Sequence, residues 1–345
     1  EDTRRDTSTT TVTLSQTLEL GGKRGARIAV AGSGQVLAQL DLERQRNGLR
    51  ADVVQAFHTA LRMQAALELA QQSQALTERG LRVVQGRVTA GQSSPVEATR
   101  AQVQLAQAQA EVRRAETQQG VAYQALAQLT GSPVATFARV QATALSPGAA
   151  PAHQALLDKL EQTAEWRMAA AQVERGEATL GSAEAQRIPD LTVSIGSQYS
   201  REDRERVNVV GLSMPLPLFD RNQGNVLAAA RRADQARDLR NAVELRLRTE
   251  TASAVSQWRT AMQEVAAYDR TILPSAQQAV DNATRGFERG KFAFLDVLDA
   301  QRTLIEARGL YLQALATASD ARAQVERIYG DLEGLRNESY SRSNQ

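Results

Sequence analysis

The sequence matches itself, and this self-match restricts the available folds more than any other feature. Leu14-Ser15-Gln16-Thr17-Leu18-Glu19-Leu20 aligns with Leu212-Ser213-Met214-Pro215-Leu216-Pro217-Leu218 at an offset of 198 residues. Gly91, Ala101-Gln102 and Gly131 then align with Gly290, Ala300-Gln301 and Gly330 at an offset of 199. Each run passes a basic residue, Lys23 or Arg221, before a long stretch of helical character. One insertion in about 120 residues marks a duplicated unit.

The eight prolines stand at 95, 133, 147, 151, 189, 215, 217 and 274. Residues 23–90 and 222–289 are each about 68 long, and as helices they would extend roughly 100 Å at 1.5 Å per residue. Pro274 predicts a kink in the second. Each stretch closes on a glycine turn, Thr89-Ala90-Gly91-Gln92-Ser93 or Glu288-Arg289-Gly290-Lys291, and a second helical stretch of about 37 residues follows. Two helical hairpins are therefore predicted. Between them, the segment Gly131 to Pro151 reads as a connector, followed by a helical pattern from Gln154 to Arg187.

The second helix of each hairpin carries two apolar rows with seven-residue spacing. They are Ala98, Leu105, Val112 and Leu126 beside Ala101, Ala108, Ala115, Ala122 and Leu129, with Gln119 as the interruption. In the other copy they are Val297, Leu304, Tyr311, Ala318 and Val325 beside Ala300, Ala307, Ala314, Ala321 and Ile328. This is a coiled-coil seam whose alanine row allows close approach, in keeping with an aromatic content of only 4%. A soluble helical bundle explains these rows equally well.

Three segments have a period of two instead. From Leu191 to Tyr199, Leu191, Val193 and Ile195 alternate with Thr192, Ser194 and Gly196. After the polar turn 200–206, Val210, Leu212, Met214, Leu216 and Leu218 alternate with Val209, Gly211, Ser213, Pro215 and Pro217. Near the N-terminus Val12, Leu14, Leu18 and Leu20 do the same against Thr and Ser. A strand of about ten residues with one apolar and one hydroxyl-rich face has the form of a transmembrane β-strand. An amphipathic hairpin on a soluble core would share the pattern, but the helices offer no layer to cover such a sheet. One hairpin per repeat cannot close a barrel, so closure needs several chains. Glu1-Asp2-Thr3-Arg4-Arg5 resembles the turn Glu202-Asp203-Arg204-Glu205-Arg206, which predicts a further strand and helix ahead of it.

Lys+Arg 41 against Asp+Glu 39 gives a net charge of +2, which argues against nucleic acid bound by bulk basicity. The chain has no cysteine, excluding disulfides and thiolate chemistry, and no apolar run of about 18 residues to form a membrane helix. Two histidines, His58 and His153, and four scattered methionines give no metal site of usual ligand spacing. Gly32-Ser33-Gly34 and Gly21-Gly22-Lys23 complete neither a nucleophile elbow nor a phosphate loop. Neither a nucleophile-base constellation nor a cofactor is predicted, so the chain does not read as an enzyme.

The duplicated strand-helix-turn-helix unit resembles the TolC-like outer-membrane factors of tripartite efflux systems. So do the Gly290 turn followed by Phe294-Leu295-Asp296-Val297-Leu298-Asp299-Ala300-Gln301 and the strand exit Met214-Pro215-Leu216-Pro217-Leu218-Phe219-Asp220. The resemblance covers essentially the whole chain. Thr17-Leu18-Glu19-Leu20-Gly21-Gly22-Lys23-Arg24 and Pro217-Leu218-Phe219-Asp220-Arg221-Asn222-Gln223-Gly224 look most like the heavy-metal branch, the outer-membrane partners of cobalt-zinc-cadmium exporters.

The resemblance implies a mainly α fold with a β-barrel portion: a homotrimer whose long coiled-coil helices form an α-barrel across the periplasm, topped by a shared twelve-stranded outer-membrane β-barrel. Residues 1–20 and 190–218 become the β-hairpins, the first lacking its first strand. Residues 21–130, 161–189 and 219–330 become α-barrel helices, while 131–160 and the tail 331–345 form an equatorial belt. The implied function is a passive exit channel for divalent heavy-metal cations, docked on a periplasmic adaptor and an inner-membrane RND pump and surrounded by outer-membrane lipid. A soluble periplasmic coiled-coil adaptor or scaffold is the alternative from the residues alone. A duct for drugs or secreted proteins shares the fold.

Asp296 and Asp299 lie three apart at a helix start, and the resemblance places them at the periplasmic tip as carboxylate rings that favour cations. Acidic residues in a first helical turn also simply complement the helix dipole. Glu97 matches Asp296 in the first repeat and a closed-gate acidic position in the family. Gly91 and Gly290 form the tip turns. Phe287 stands where relatives often have a gating tyrosine, and Phe292 where some have a gate arginine, so Arg289 and Lys291 become the candidate polar substitutes and adaptor contacts.

Overall fold

The computed structural model describes residues 8–142, 145–201 and 204–332. The expectations for 1–7, for the turn residues 202 and 203, for connector residues 143 and 144 and for the tail from 333 lie outside the described residues. The chain divides into two units, 1–43 with 164–245, and 44–163 with 246–345.

The first unit holds the sheet, with antiparallel order β1(Thr9–Leu18), β2(Leu191–Ser200), β3(Glu205–Ser213). Leu14 pairs with Ile195 and Ile195 with Val210, while Gln16, Val193 and Leu212 form the neighbouring row. The same face continues through Leu18 and Leu191. The opposite face carries Thr13, Gly196 and Val209, then Ser15, Ser194 and Gly211, then Thr17, Thr192 and Ser213. Period-2 alternation thus produces one apolar and one largely hydroxyl-bearing face. The apolar face is uncovered, with Leu14 77% and Val210 72% exposed.

Two strand ends differ from the expected ones. β3 stops at Ser213 instead of running to Leu218, because Pro215 and Pro217 have no N–H for a ladder; Leu218 N instead donates to Leu216 O at 3.0 Å. β1 stops at Leu18, and the chain turns at Gly21 (φ +69°), where a Cβ would lie 2.8 Å from Ile188 Cβ. Asp190 fastens this corner, accepting from Leu20 N at 3.2 Å and from Lys23 Nζ at 2.7 Å. The unit's helical part comprises the start of α1(Lys23–Thr89), α4(Ala164–Ala185) and the start of α5(Gln223–Ala267). Small residues allow close contact there: a Cβ on Gly176 would come 3.2 Å from Ala233 Cα.

The second unit contains the rest of α1 and α5 with α2(Pro95–Leu129), α3(His153–Leu157), α6(Leu273–Glu288) and α7(Phe294–Tyr329). The α7 rows enter the core: Val297, Leu304, Ala314, Ala318, Ala321, Val325 and Ile328 are all buried. Leu105 and Val112 in α2 are only half-buried within the chain. Trp258, 2% exposed, packs with Ala318, Ala321 and Val325 and donates Nε1–H to Gly148 O at 3.0 Å.

Two helical expectations are corrected. The stretch from Gln154 to Arg187 is not one helix, since a 3₁₀ turn, Leu160–Gln162, and extended Thr163 separate α3 from α4. Residues 222–289 are not one uninterrupted α-helix either, because Tyr268–Ile272 form a π turn between α5 and α6. Pro274 explains the place: without an N–H it cannot bond the carbonyl four residues back, and Leu273 N reaches Tyr268 O, five back. A π turn accommodates one extra residue in a helix. Among the described residues it is the only departure from α geometry between Gln223 and Glu288, the interval in which the self-match offset rises from 198 to 199.

α1 and α7 run antiparallel in this unit, joined by Asp52 with Arg327 at 2.5 Å and Gln55 with Asp320 at 2.8 Å, while Arg50 pairs at 2.7 Å with Asp331 just past the end of α7. His58 follows on α1, 8% exposed, with Nδ1 unpartnered. Burial lowers its pKa below 6.5, and Arg322 and Arg62 lower it further. The unfolded chain therefore takes up this proton near pH 6.5 while the folded chain does not, so stability falls as pH drops below 6.5 until His58 itself protonates. We expect stability to fall over the pH range just below 6.5. His58→Gln should remove that component in urea titrations at several pH values, and an unchanged pH dependence would exclude His58 as its source.

Candidate functional site

The two glycine turns lie in the second unit and share one hydrogen-bond pattern. Gly91 (φ +70°) donates to Val88 O at 3.0 Å and Gln92 N to Arg87 O at 2.8 Å. Gly290 (φ +71°) donates to Phe287 O at 2.9 Å and Lys291 N to Gly286 O at 2.8 Å. Both are Schellman closures, in which the left-handed residue satisfies carbonyls at the helix end and is normally glycine.

The returning helices start differently. Ser94 Oγ accepts from Val96 N at 3.3 Å, with Pro95 in the first turn of α2. At α7, Asp296 Oδ2 accepts from Ala293 N at 2.9 Å. Asp296 is therefore a helix cap, whatever further role it has. Asp299 is exposed and accepts from Arg302 Nη2 at 3.1 Å. Both aspartates, with Leu295 and Arg302, line a groove whose other side is Thr99, Arg100, Val103 and Gln104 of α2. Glu97 is half-buried in the first turn of α2.

Beneath the turns, Phe287 is buried (4% exposed) and packs on Phe294 with ring centroids 5.4 Å apart. Val84, Ala101, Ala283 and Val297 complete this cluster. Arg87 covers it: its guanidinium lies 4.5 Å from the Phe287 ring centroid and Nη1 donates to Phe287 O at 2.9 Å. Phe292 is half exposed and lies over Gly286, where a Cβ would be 2.1 Å from its ring. Arg289 and Lys291 are exposed. The candidates thus divide into outward groups, Asp299, Arg289, Lys291 and Phe292, and supporting ones, Phe287, Asp296 and the glycines.

Sequence reasoning passed over Arg87, although a signal was present. At the offset of 199 its counterpart is Gly286, while Val88 and Ser93 answer to Phe287 and Phe292. The two copies diverge where the second tip builds an aromatic cluster that an arginine of the first covers. Arg87→Ala should cost about 1–3 kcal/mol, from a charged hydrogen bond and the ring contact. Asp296→Ala should cost about 1 kcal/mol through its cap, and Asp299→Ala under about 0.5 kcal/mol. Urea denaturation of the three variants tests this order, and an Asp299 variant weaker than the Arg87 variant would contradict it.

The chain matches the family model described as outer membrane efflux protein over residues 1–132 and 156–331. It is 39% identical over 330 residues to the cobalt-zinc-cadmium resistance protein CzcC of Cupriavidus metallidurans, covering 96% of this chain and 79% of CzcC. Among solved structures, VceC from Vibrio cholerae superposes with a TM-score of 0.77 at 22% identity, over 93% of this chain and 79% of VceC. The outer-membrane channel OprN does so with a TM-score of 0.78 at 19% identity, over 94% of this chain and 81% of OprN. These matches agree with a mainly helical chain bearing a small amphipathic sheet. The chain belongs to the outer membrane efflux protein family, whose members are non-enzymatic channels of the outer membrane that extend into the periplasm.

Proposed function

We propose that the chain is the passive outer-membrane exit duct of a tripartite RND exporter and that its cargo is divalent heavy-metal cations. The observation that carries the duct is the sheet: three long strands with an exposed apolar face, a polar face and outer edges on β1 and β3 that have no strand partner among the described residues. In hydrocarbon those edges need partners, which other copies of the chain supply. Four strands per protomer in a homotrimer would make a twelve-stranded barrel, with lipid on the Leu14, Ile195 and Val210 face and water on the hydroxyl face. The helical hairpins would form the tunnel. The cargo assignment rests on the similarity to CzcC, whose name gives cobalt, zinc and cadmium.

At the tip, Asp299 would form a ring of three carboxylates, with Asp296 close behind and Glu97 on the neighbouring hairpin. The Gly91 and Gly290 turns, with Arg289, Lys291 and Phe292 outward and Phe287 holding them from beneath, would meet the periplasmic adaptor. Energy then enters at the inner-membrane pump, and the duct contributes a wet path with a cation-favouring entrance.

Asp299→Asn isolates the ring charge, because Asp299 makes no cap bond. In single-channel recordings across a salt gradient, this variant should lose about half or more of its cation-over-anion preference. In a strain lacking the parent gene it should also restore zinc, cobalt and cadmium resistance less well than the wild type. Unchanged selectivity would remove the ring assignment, and failure of the wild type to restore any metal resistance would remove the cargo assignment.

A further inference from the structure

We propose that the second helical hairpin carries a two-sided hinge, formed by the π turn with Pro274 on one helix and Gly309 on the other, which the first hairpin lacks. The hinge itself rests on the geometry of the second unit alone; its use in gating rests on the duct reading.

On the first side, the π turn Tyr268–Ile272 and the missing N–H of Pro274 interrupt the i to i+4 ladder between α5 and α6. Packing is thin at the same place. No residue from Ala266 to Ser275 is buried. Above the turn, Val265 packs with Ala314 and Leu315; below it, Ala276 and Val280 pack with Leu304 in a separate cluster. The turn therefore lies between two clusters and belongs to neither, and such low-contact segments open at low free energy.

The second side is on α7. Gln277 Oε1 accepts from Arg308 Nη2 at 3.0 Å, and Asp269 interacts with Tyr311 across the pair. The antiparallel helices thus bring Gly309 level with the π turn. A Cβ at Gly309 would meet nothing within 4 Å, so close packing does not call for glycine there. What glycine provides at an open helical position is backbone freedom. Both helices are consequently weak at one level, and the hairpin can bend there without either having to break.

The first hairpin serves as an internal comparison. At the offset of 199, Pro274 answers to Ala75 and Gly309 to Ala110, the two alanines occupying the same positions in regular helix. The stretch of α1 matching 266–275 also keeps a buried anchor, Ala70. The extra residue, the proline and Gly309 all fall at one level of one hairpin, whose lower half carries the Gly290 turn, Asp296 and Asp299, whereas the open glycine of α2, Gly120, has neither a π turn nor a proline on α1 to pair with it.

Hydrogen exchange on the full-length protein in detergent tests the joint directly. Amides of 268–273 and 307–311 should exchange at least about tenfold faster than those of 69–73 and 108–112. The double variant Pro274→Ala, Gly309→Ala should slow exchange at 307–311 and lower the frequency of single-channel openings about fivefold or more. Ala110→Cys carrying a small label, a change in the other hairpin, should leave openings unaltered. Equal exchange in the two hairpins of the wild type would overturn the hinge even where the double variant fails to fold. Slower exchange at 307–311 with unaltered opening would overturn its part in gating. A wild type that never conducts would overturn the duct reading instead, and the exchange comparison would still decide the hinge.

Discussion

A β-strand placed in hydrocarbon must have both edges hydrogen-bonded, because each unpaired backbone group there costs several kcal/mol. β2 meets that demand within the chain, between β1 and β3. β1 and β3 each present an outer edge with no partner among the described residues. The apolar face formed by Leu14, Ile195 and Val210 is too large and too exposed for a sheet in water without a covering layer. On the duct proposal, lipid covers that face and further copies of the chain supply the edge partners. The sharp corner at Gly21, Ile188 and Asp190 then fixes where the sheet ends and the helices begin.

Below that corner the chemistry is that of close helix packing. Alanine rows on α7, Gly176 against Ala233 and the polar bonds from α1 to α7 let long helices approach with few large side chains. Burial within the chain is uneven. α7 is heavily buried, whereas Leu105 and Val112 of α2 remain half open. The two hairpins end on equivalent Schellman turns but are not equal: the second has the aromatic cluster under Arg87, the cap from Asp296 and the π turn. The departures from the repeated pattern gather at the second glycine turn and at the π turn.

Much of this was legible in the residues. The strand at 191–199, the glycine turns and the α7 rows follow from period and punctuation, since each is a local pattern with one physical solution. The end of β3 was legible in Pro215 and Pro217, but the apolar alternation through Leu218 outweighed them in the reading. Pro274 indicates a disturbance, yet a kink and a π turn differ only in whether the helix beyond is held in register, which depends on α7. Asp296 shows the limit at the site. Its place in a first helical turn was compatible with a cap and with a pore ring, and the cap is visible only in the bond from Ala293 N. Arg87 was missed because its partner is a carbonyl and a ring 200 positions away.

The central claim is that the sheet closes only by sharing its edges among identical chains in a membrane. The mass of the full-length protein purified from outer membranes, measured by light scattering with detergent subtracted, tests it most directly. The account predicts the mass of three chains, obtained only in the presence of detergent. A monomer or dimer soluble in plain buffer would contradict it and favour a periplasmic coiled-coil scaffold.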